Sequence, residues 1–201
     1  MAHSLPTEAL APGLDRDGQR QLLAIARAAI ARGEARPCGR ELAALPAALR
    51  RERAVFVTLI QNGSLRGCIG SLVATAPLAQ AVADAAHGAA HRDPRFPPLH
   101  STELAAVQIE ISVLSALEPM AVNRRSDLIS TLRPGRDGLL LEDGARRSTF
   151  LPKVWEQLPD PEDFLDQLLA KAGLSPQHWS PTLRLHRYSA SSFGDADPDS
   201  A

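Results

Sequence analysis

The chain has 201 residues, 44% of them hydrophobic and 22% charged, and a formal net charge of −1. That size allows one substantial core, and the dispersed charge gives no footprint for nucleic acid or an anionic membrane. No window approaches the ~20 apolar residues of a membrane span and residues 1–13 lack a secretion signal, so a cytoplasmic protein with small-molecule or protein partners is expected.

Lysine occurs only at Lys153 and Lys171, the other cations being Arg. The two cysteines, Cys38 and Cys68, have no CxxC spacing, which suggests neither a disulfide framework nor a zinc site. No metal or cofactor is expected.

Residues 1–14 read as a tail. Leu22, Ile25, Ala26, Ala29 and Ile30 then form one stripe of an amphipathic N-terminal helix, opened by Asp15 or Asp17 and closed by Gly33. Residues 34–53 read as a connection with one helical turn at 41–45. Residues 54–60 are rich in β-branched and aromatic side chains, Asn62-Gly63 is a hairpin turn because both residues tolerate positive φ, and 65–73 is the return strand. Pro77 can open a helix running to His91, and residues 93–98, Asp-Pro-Arg-Phe-Pro-Pro, break it. Residues 105–114 alternate Val107, Ile109, Ile111 and Val113 with Gln108, Glu110 and Ser112, the period of a strand with one apolar face.

Residues 124–132 read as a short helix capped by Ser126. Residues 138–142, the turn Asp143-Gly144 and 147–151 form a second hairpin. Segments 152–158 and 161–172 read as helices, 182–188 as a final strand, and 194–201 as an acidic tail. Hairpin, helix, strand at 54–114 thus recurs as hairpin, helices, strand at 138–188. The expected fold is α+β, with duplicated hairpin–helix–strand units joined into one mixed sheet, and residues 15–193 form a single domain.

The stretch Leu65-Arg66-Gly67-Cys68-Ile69-Gly70 is the candidate site. Strand alternation puts Arg66, Cys68 and Gly70 on one face. A guanidinium beside a thiol favours the thiolate, while Gly67 and Gly70 open the backbone to a ligand or allow a bulge. Set against this, free cysteine often serves as a small hydrophobe in a packed sheet. Glu110 can orient Arg66 or act as a base if its strand neighbours this one, and Ser112 shares its face. Asp93 suits a turn, and Arg95 suits either a turn or an anion ligand. His87 and His91 share a helix face at metal-binding spacing, but no Glu accompanies them as in HExxH, and they read as surface side chains.

Residues 55–59 and the LRGCIG segment, then Asp93-Pro94-Arg95-Phe96, residues 110–114, Phe150-Leu151-Pro152-Lys153-Val154-Trp155, Phe164-Leu165 and Lys171-Ala172-Gly173-Leu174 follow in an order that resembles the AMMECR family over residues 16–193. The resemblance implies duplicated units around a barrel-like sheet, and for prokaryotic members a place beside Memo-like and radical SAM partners in the AmmeMemoRadiSam system. It brings no particular reaction with it. Two functions are therefore expected in competition. One is a thiol-dependent component of a modification pathway, with Cys68 as nucleophile or redox thiol, Arg66 as activator, Glu110 as orienter, and Gly67, Gly70, Arg95 and Ser112 as ligand contacts. The other is a non-catalytic ligand-binding or adaptor module. The later block has Arg147-Ser148-Thr149 where Arg66-Gly67-Cys68 stands earlier, so no second copy of the signature is expected.

Overall fold

The computed structural model describes residues 14–32, 37 and 39–195; Gly33 and Cys38 lie outside them. Contacts divide these described residues into two compact units, those from 14 to 114 with 191–195, and 115–190.

In the first unit, helix α1 (Arg16–Arg32) is followed by two short helices, α2 (Gly39–Ala44) and α3 (Ala47–Arg50), where the sequence suggests one turn. Strands β1 (Val55–Gln61) and β2 (Ser64–Ser71) form the expected hairpin, with φ of 51° at Asn62 and 75° at Gly63. Helix α4 (Leu78–His91), strand β3 (Val107–Leu114) and strand β8 (Ala190–Gly194) complete the unit, the last entering from the C-terminal segment. The sheet order is β2-β1-β3-β8, with β2 and β3 both antiparallel to β1.

The apolar alternation of β1 and β3 explains which face is buried. Val55, Val57, Leu59, Ile109, Ile111 and Val113 form one core cluster with Leu22, Ala26 and Ile30 of α1 and Val82, Ala86 and Ala89 of α4. Leu14, read from sequence as tail, is also buried in that core. Alanine dominates α4 because the helix lies close to β2. A Cβ on Gly67 would stand 2.1 Å from the Ala89 carbonyl oxygen. Glycine is the residue that fits there.

The second unit carries β4 (Glu118–Pro119), α5 (Arg125–Thr131), β5 (Gly138–Asp143), β6 (Arg146–Phe150), α6 (Pro161–Lys171) and β7 (Arg184–Tyr188). Its sheet order is β4-β7-β5-β6, all antiparallel. Leu139, Leu141 and Leu185 pack against Leu128, Phe164, Leu165, Leu168 and Trp155. The Trp155 and Phe164 rings stack at 3.8 Å, and Trp155 donates its indole N–H to the Asp137 carbonyl at 2.6 Å. Two local expectations differ. Residues 152–156 form a 3-10 turn rather than an α-helix. Ser126 lies inside α5, whose N-cap is Arg124 without a side-chain cap bond.

The α+β class stands, but the sheet does not close into a barrel and is not single and mixed. Two open sheets form because each unit's hairpin pairs with its own third strand, β1 with β3 and β5 with β7.

Candidate functional site

A β-bulge shapes the signature strand. Leu59 pairs with Gly67 and Ile60 with Leu65, so Arg66 faces no residue of its own on β1. A bulge interrupts alternation and re-aims its side chain, and the guanidinium of Arg66 goes to Glu103. Arg66 Nε donates to Glu103 Oε1 at 2.9 Å and Nη2 to Oε2 at 3.2 Å. Glu103 lies on a 3-10 turn (Ser101–Glu103) and also accepts the His100 backbone N–H at 2.8 Å. The Arg66 pair first, then the His100 N–H, hold its carboxyl down to about 2. The side chain of Arg66 is 11% exposed, and its Nη1 is buried without a hydrogen-bond partner.

Cys68 sits on the outermost strand of the sheet and its backbone is clamped from the side. Its N–H donates to Asp93 Oδ2 at 2.9 Å, and its carbonyl accepts from Arg95 Nη2 at 3.1 Å. Arg95 in turn donates Nε and Nη2 to the two oxygens of Asp93, at 2.9 and 2.7 Å. These two side chains supply the acceptor and donor that a neighbouring strand would otherwise offer. The Asp93 side chain is 2% exposed, and its carboxyl is held well below the usual carboxylate range, by Arg95 foremost and by the Cys68 and Arg95 N–H groups, against the opposing effect of burial. Asp93 raises the Arg95 guanidinium further still, with a smaller contribution from the Cys68 thiol. A second brake on strand addition follows at Ser71, whose Oγ donates to the Val73 carbonyl and accepts its N–H.

The half-buried Cys68 thiol accepts a hydrogen bond from Thr58 Oγ1 at 3.4 Å. Cys68, Thr58 and Glu110 fall in one cross-strand row, because Thr58 pairs with Cys68 on one side and with Glu110 on the other. Glu110 is thus two strand spacings from Cys68, about 10 Å at the backbone. It lines a shallow cavity of about 140 Å³ with Ile60, Gln108 and Ser192. Ser112 is buried and shares a hydrogen bond with Ser192 at 2.8 Å.

The structure therefore brings Cys68, Arg95 and Asp93 together, ties Arg66 to Glu103, and leaves Glu110 and Ser112 on the far side of β1. Glu103, Thr58 and the clamp on the Cys68 backbone went unread in the sequence. A trace of Glu103 exists there, since His100 and Glu103 have capping-box spacing. Among the described residues no cluster of three or more His, Cys, Asp and Glu forms a metal set. The His87 and His91 rings lie 4.9 Å apart, with His91 Nε2 3.0 Å from the Ile30 carbonyl oxygen.

The family model AMMECR1 matches residues 23–193. The chain belongs to the AMMECR1 family. A relative from Methanothermobacter thermautotrophicus is 42% identical over 186 residues, covering 90% of this chain and 95% of its own length. Another from Thermofilum pendens is 39% identical over 165 residues, with 76% and 78% covered. The crystal structure of protein PH0010 from Pyrococcus horikoshii is similar with a TM-score of 0.79 at 32% identity, covering 87% of this chain and 90% of that one. Both blocks of the Cys68 clamp, 65–70 and 93–96, fall within the AMMECR1 match. No helix among the described residues is long and apolar enough to cross a membrane.

Proposed function

We propose that this AMMECR1-family protein is a ligand-binding component of a cytoplasmic modification pathway, with its recognition surface on β2 around Cys68. The observation that carries this reading is how the six signature side chains are spent. Arg66 is tied to Glu103 and Ile69 packs on Gly88, while Gly67 and Gly70 are required by Ala89 and by Val55 with Phe56. Leu65, 45% exposed, and the Cys68 thiol are not consumed by the fold. Holding both on a clamped strand lowers the ordering cost of binding. Memo-like and radical SAM proteins are the proposed partners, on family resemblance.

A thiol nucleophile is the second reading, favoured by the Arg95 charge that reaches Cys68. It is the weaker one because Arg95 is already matched by Asp93 and Glu110 is one strand too far to act as a base. Alkylation separates them. In the binding reading Cys68 reacts no faster than a small free thiol at the same pH, and replacing the exposed Leu65 in Leu65→Asp abolishes co-purification with the neighbouring gene products. Alkylation ten or more times faster, with partner capture abolished by Cys68→Ser, would establish the nucleophile instead.

We also infer that the two units descend from one hairpin–helix–strand ancestor. The neighbour orders β2-β1-β3 and β6-β5-β7 correspond. At the position matching Gly67, Ser148 donates its hydroxyl to the Leu168 carbonyl of α6 at 2.7 Å, so in both units this strand residue meets a helix backbone carbonyl.

A further inference from the structure

We propose that the cavity on the outer face of the first unit's sheet, between β3 and β8, is a binding site for a primary alkylammonium group. It goes beyond the reading above and stands apart from it, since Glu110 at this cavity lies two strand spacings from Cys68.

Strand alternation builds the site. Leu59, Ile109 and Phe193 join the core with α1 and α4, so Ile60, Gln108, Glu110 and Ser192 come out on the opposite face. There they line an open cavity of about 140 Å³. An apolar cavity of roughly 150 Å³ holds a benzene ring, so this one has room for a group of about five or six heavy atoms. Gly194 keeps the space clear. A Cβ there would stand 2.7 Å from the Ile109 carbonyl oxygen and 3.6 Å from the Glu110 Cβ, so a side chain would press on β3 and crowd Glu110.

The lining selects the ligand. Three of its side chains carry acceptor oxygens: the Glu110 carboxylate, the Gln108 amide and the Ser192 hydroxyl. An ammonium has three N–H donors and no acceptor, which matches that set, and the carboxylate favours a cation over a neutral donor. A carboxylate offers about four acceptor sites, so Glu110 can keep another partner and still receive the ligand. Ser192 is held from within the sheet, where its hydroxyl shares a 2.8 Å hydrogen bond with the buried Ser112. In either donor direction at least one lone pair remains for an arriving N–H. Ile60, paired with Gln108 across β1 and β3, gives the alkyl stem an apolar wall. The arginines of this unit do not oppose a cation, because Arg27, Arg66 and Arg95 are matched by Asp195, Glu103 and Asp93.

The test uses the full-length protein labelled at its isoleucine δ1-methyl groups, titrated with n-butylammonium and separately with Nα-acetyl-lysine methylamide. The expected result is a saturable shift of the Ile60 methyl resonance, with a dissociation constant of about 5 mM or tighter for at least one of the two. Butanol keeps the stem without the charge, and Glu110→Gln removes the charge from the site; each should weaken binding at least about tenfold. Saturation by the lysine amide identifies a polypeptide lysine as the ligand, and saturation by butylammonium alone identifies a free amine. No saturation with either amine, butanol binding as tightly as butylammonium, or affinity unchanged in Glu110→Gln would overturn the proposal. Should Glu110→Gln not fold, the butanol comparison on the unsubstituted protein decides. Cys68 alkylation and partner capture by Leu65→Asp report on β2, so the binding reading and this site can fail separately.

Discussion

Substituting Gly67 with Ala tests how β2 and α4 are fitted together. The added Cβ would stand 2.1 Å from the Ala89 carbonyl oxygen and 3.0 Å from its carbon. Close carbon–oxygen contacts in proteins settle near ~3.3 Å, so β2 and α4 must separate by about 1.2 Å. The obstacle is helix backbone, which cannot rotate away as a side chain would. Displacing β2 also strains the Cys68 N–H bond to Asp93, now 2.9 Å. Overpacking costs about 1–3 kcal/mol, and loss of a charge-assisted bond adds to it; we expect about 3 kcal/mol for Gly67→Ala. Gly88→Ala is the control on the same interface. Its Cβ meets only the Ile69 side chain, 3.0 Å from Cγ2, 3.4 Å from Cβ and 3.7 Å from Cγ1, and replacing a mid-helix glycine recovers about 1 kcal/mol of helix propensity, so the net change should be near zero. Both tryptophans, Trp155 and Trp179, lie in the second unit, and their fluorescence does not sample the β2–α4 interface directly. Urea unfolding followed by far-UV circular dichroism, with hydrogen exchange at α4 and β2 amides, reports it. Equal stability of the two variants would refute the packing account.

Asp93→Asn should cost about 2–3 kcal/mol, because it removes the charge facing Arg95 and weakens the acceptor for the Cys68 N–H. Hydrogen exchange at the Cys68 amide should speed up, and an unchanged rate would show that the clamp does not protect the strand edge. Acid stability should depend on Glu103 and on Asp143, the latter lowered to about 2 by Thr182, His178 and Ser180. Both are lowered in the folded state, so the unfolded chain binds more protons across the gap. Their contribution is complete above about pH 4.5, the ordinary carboxylate range, and is lost as pH falls towards about 2. Glu103→Gln and Asp143→Asn should each flatten stability between pH 4.5 and 2; a pH profile like that of the unsubstituted protein would contradict the assignment.

The parts of the fold legible in the sequence are those written in local chemistry. Asn62-Gly63 and Asp143-Gly144 mark hairpins because the turns need positive φ, observed at 51° for Asn62, 75° for Gly63 and 60° for Gly144. Residues 107–114 read as a strand because their alternation matches a sheet with one buried face. Strand β8 was illegible, since Ala-Ser-Ser-Phe-Gly carries no period, and its place beside β3 depends on long-range pairing. Its end is fixed by Asp195, which accepts the Ile109 N–H at 2.8 Å and pairs with Arg27 of α1. The partner of Arg66 was hidden in the same way, because Glu103 lies 37 residues along the chain. The bulge then removed the alternation from which the facing of Arg66 was inferred.

Comparison of matched positions in the two units bears on which part of the signature serves folding. Gly67 and Ser148 both meet a helix carbonyl, one by having no side chain and the other through a hydroxyl, so the requirement there is close packing and has two chemical solutions. At the next position but one from each turn's arginine, Cys68 stands against Thr149. Thr149 is bound into its sheet by the Leu139 carbonyl at 2.9 Å and the Tyr188 hydroxyl at 2.7 Å. Cys68 has for its side chain the 3.4 Å contact from Thr58 and the charge of Arg95, and its tight bonds belong to its backbone, which any residue except proline could supply. Packing therefore accounts for the glycines and the clamp accounts for the strand, yet neither requires sulfur at position 68. A thiol that the fold does not need is the side chain on which a functional assay of this protein should be centred.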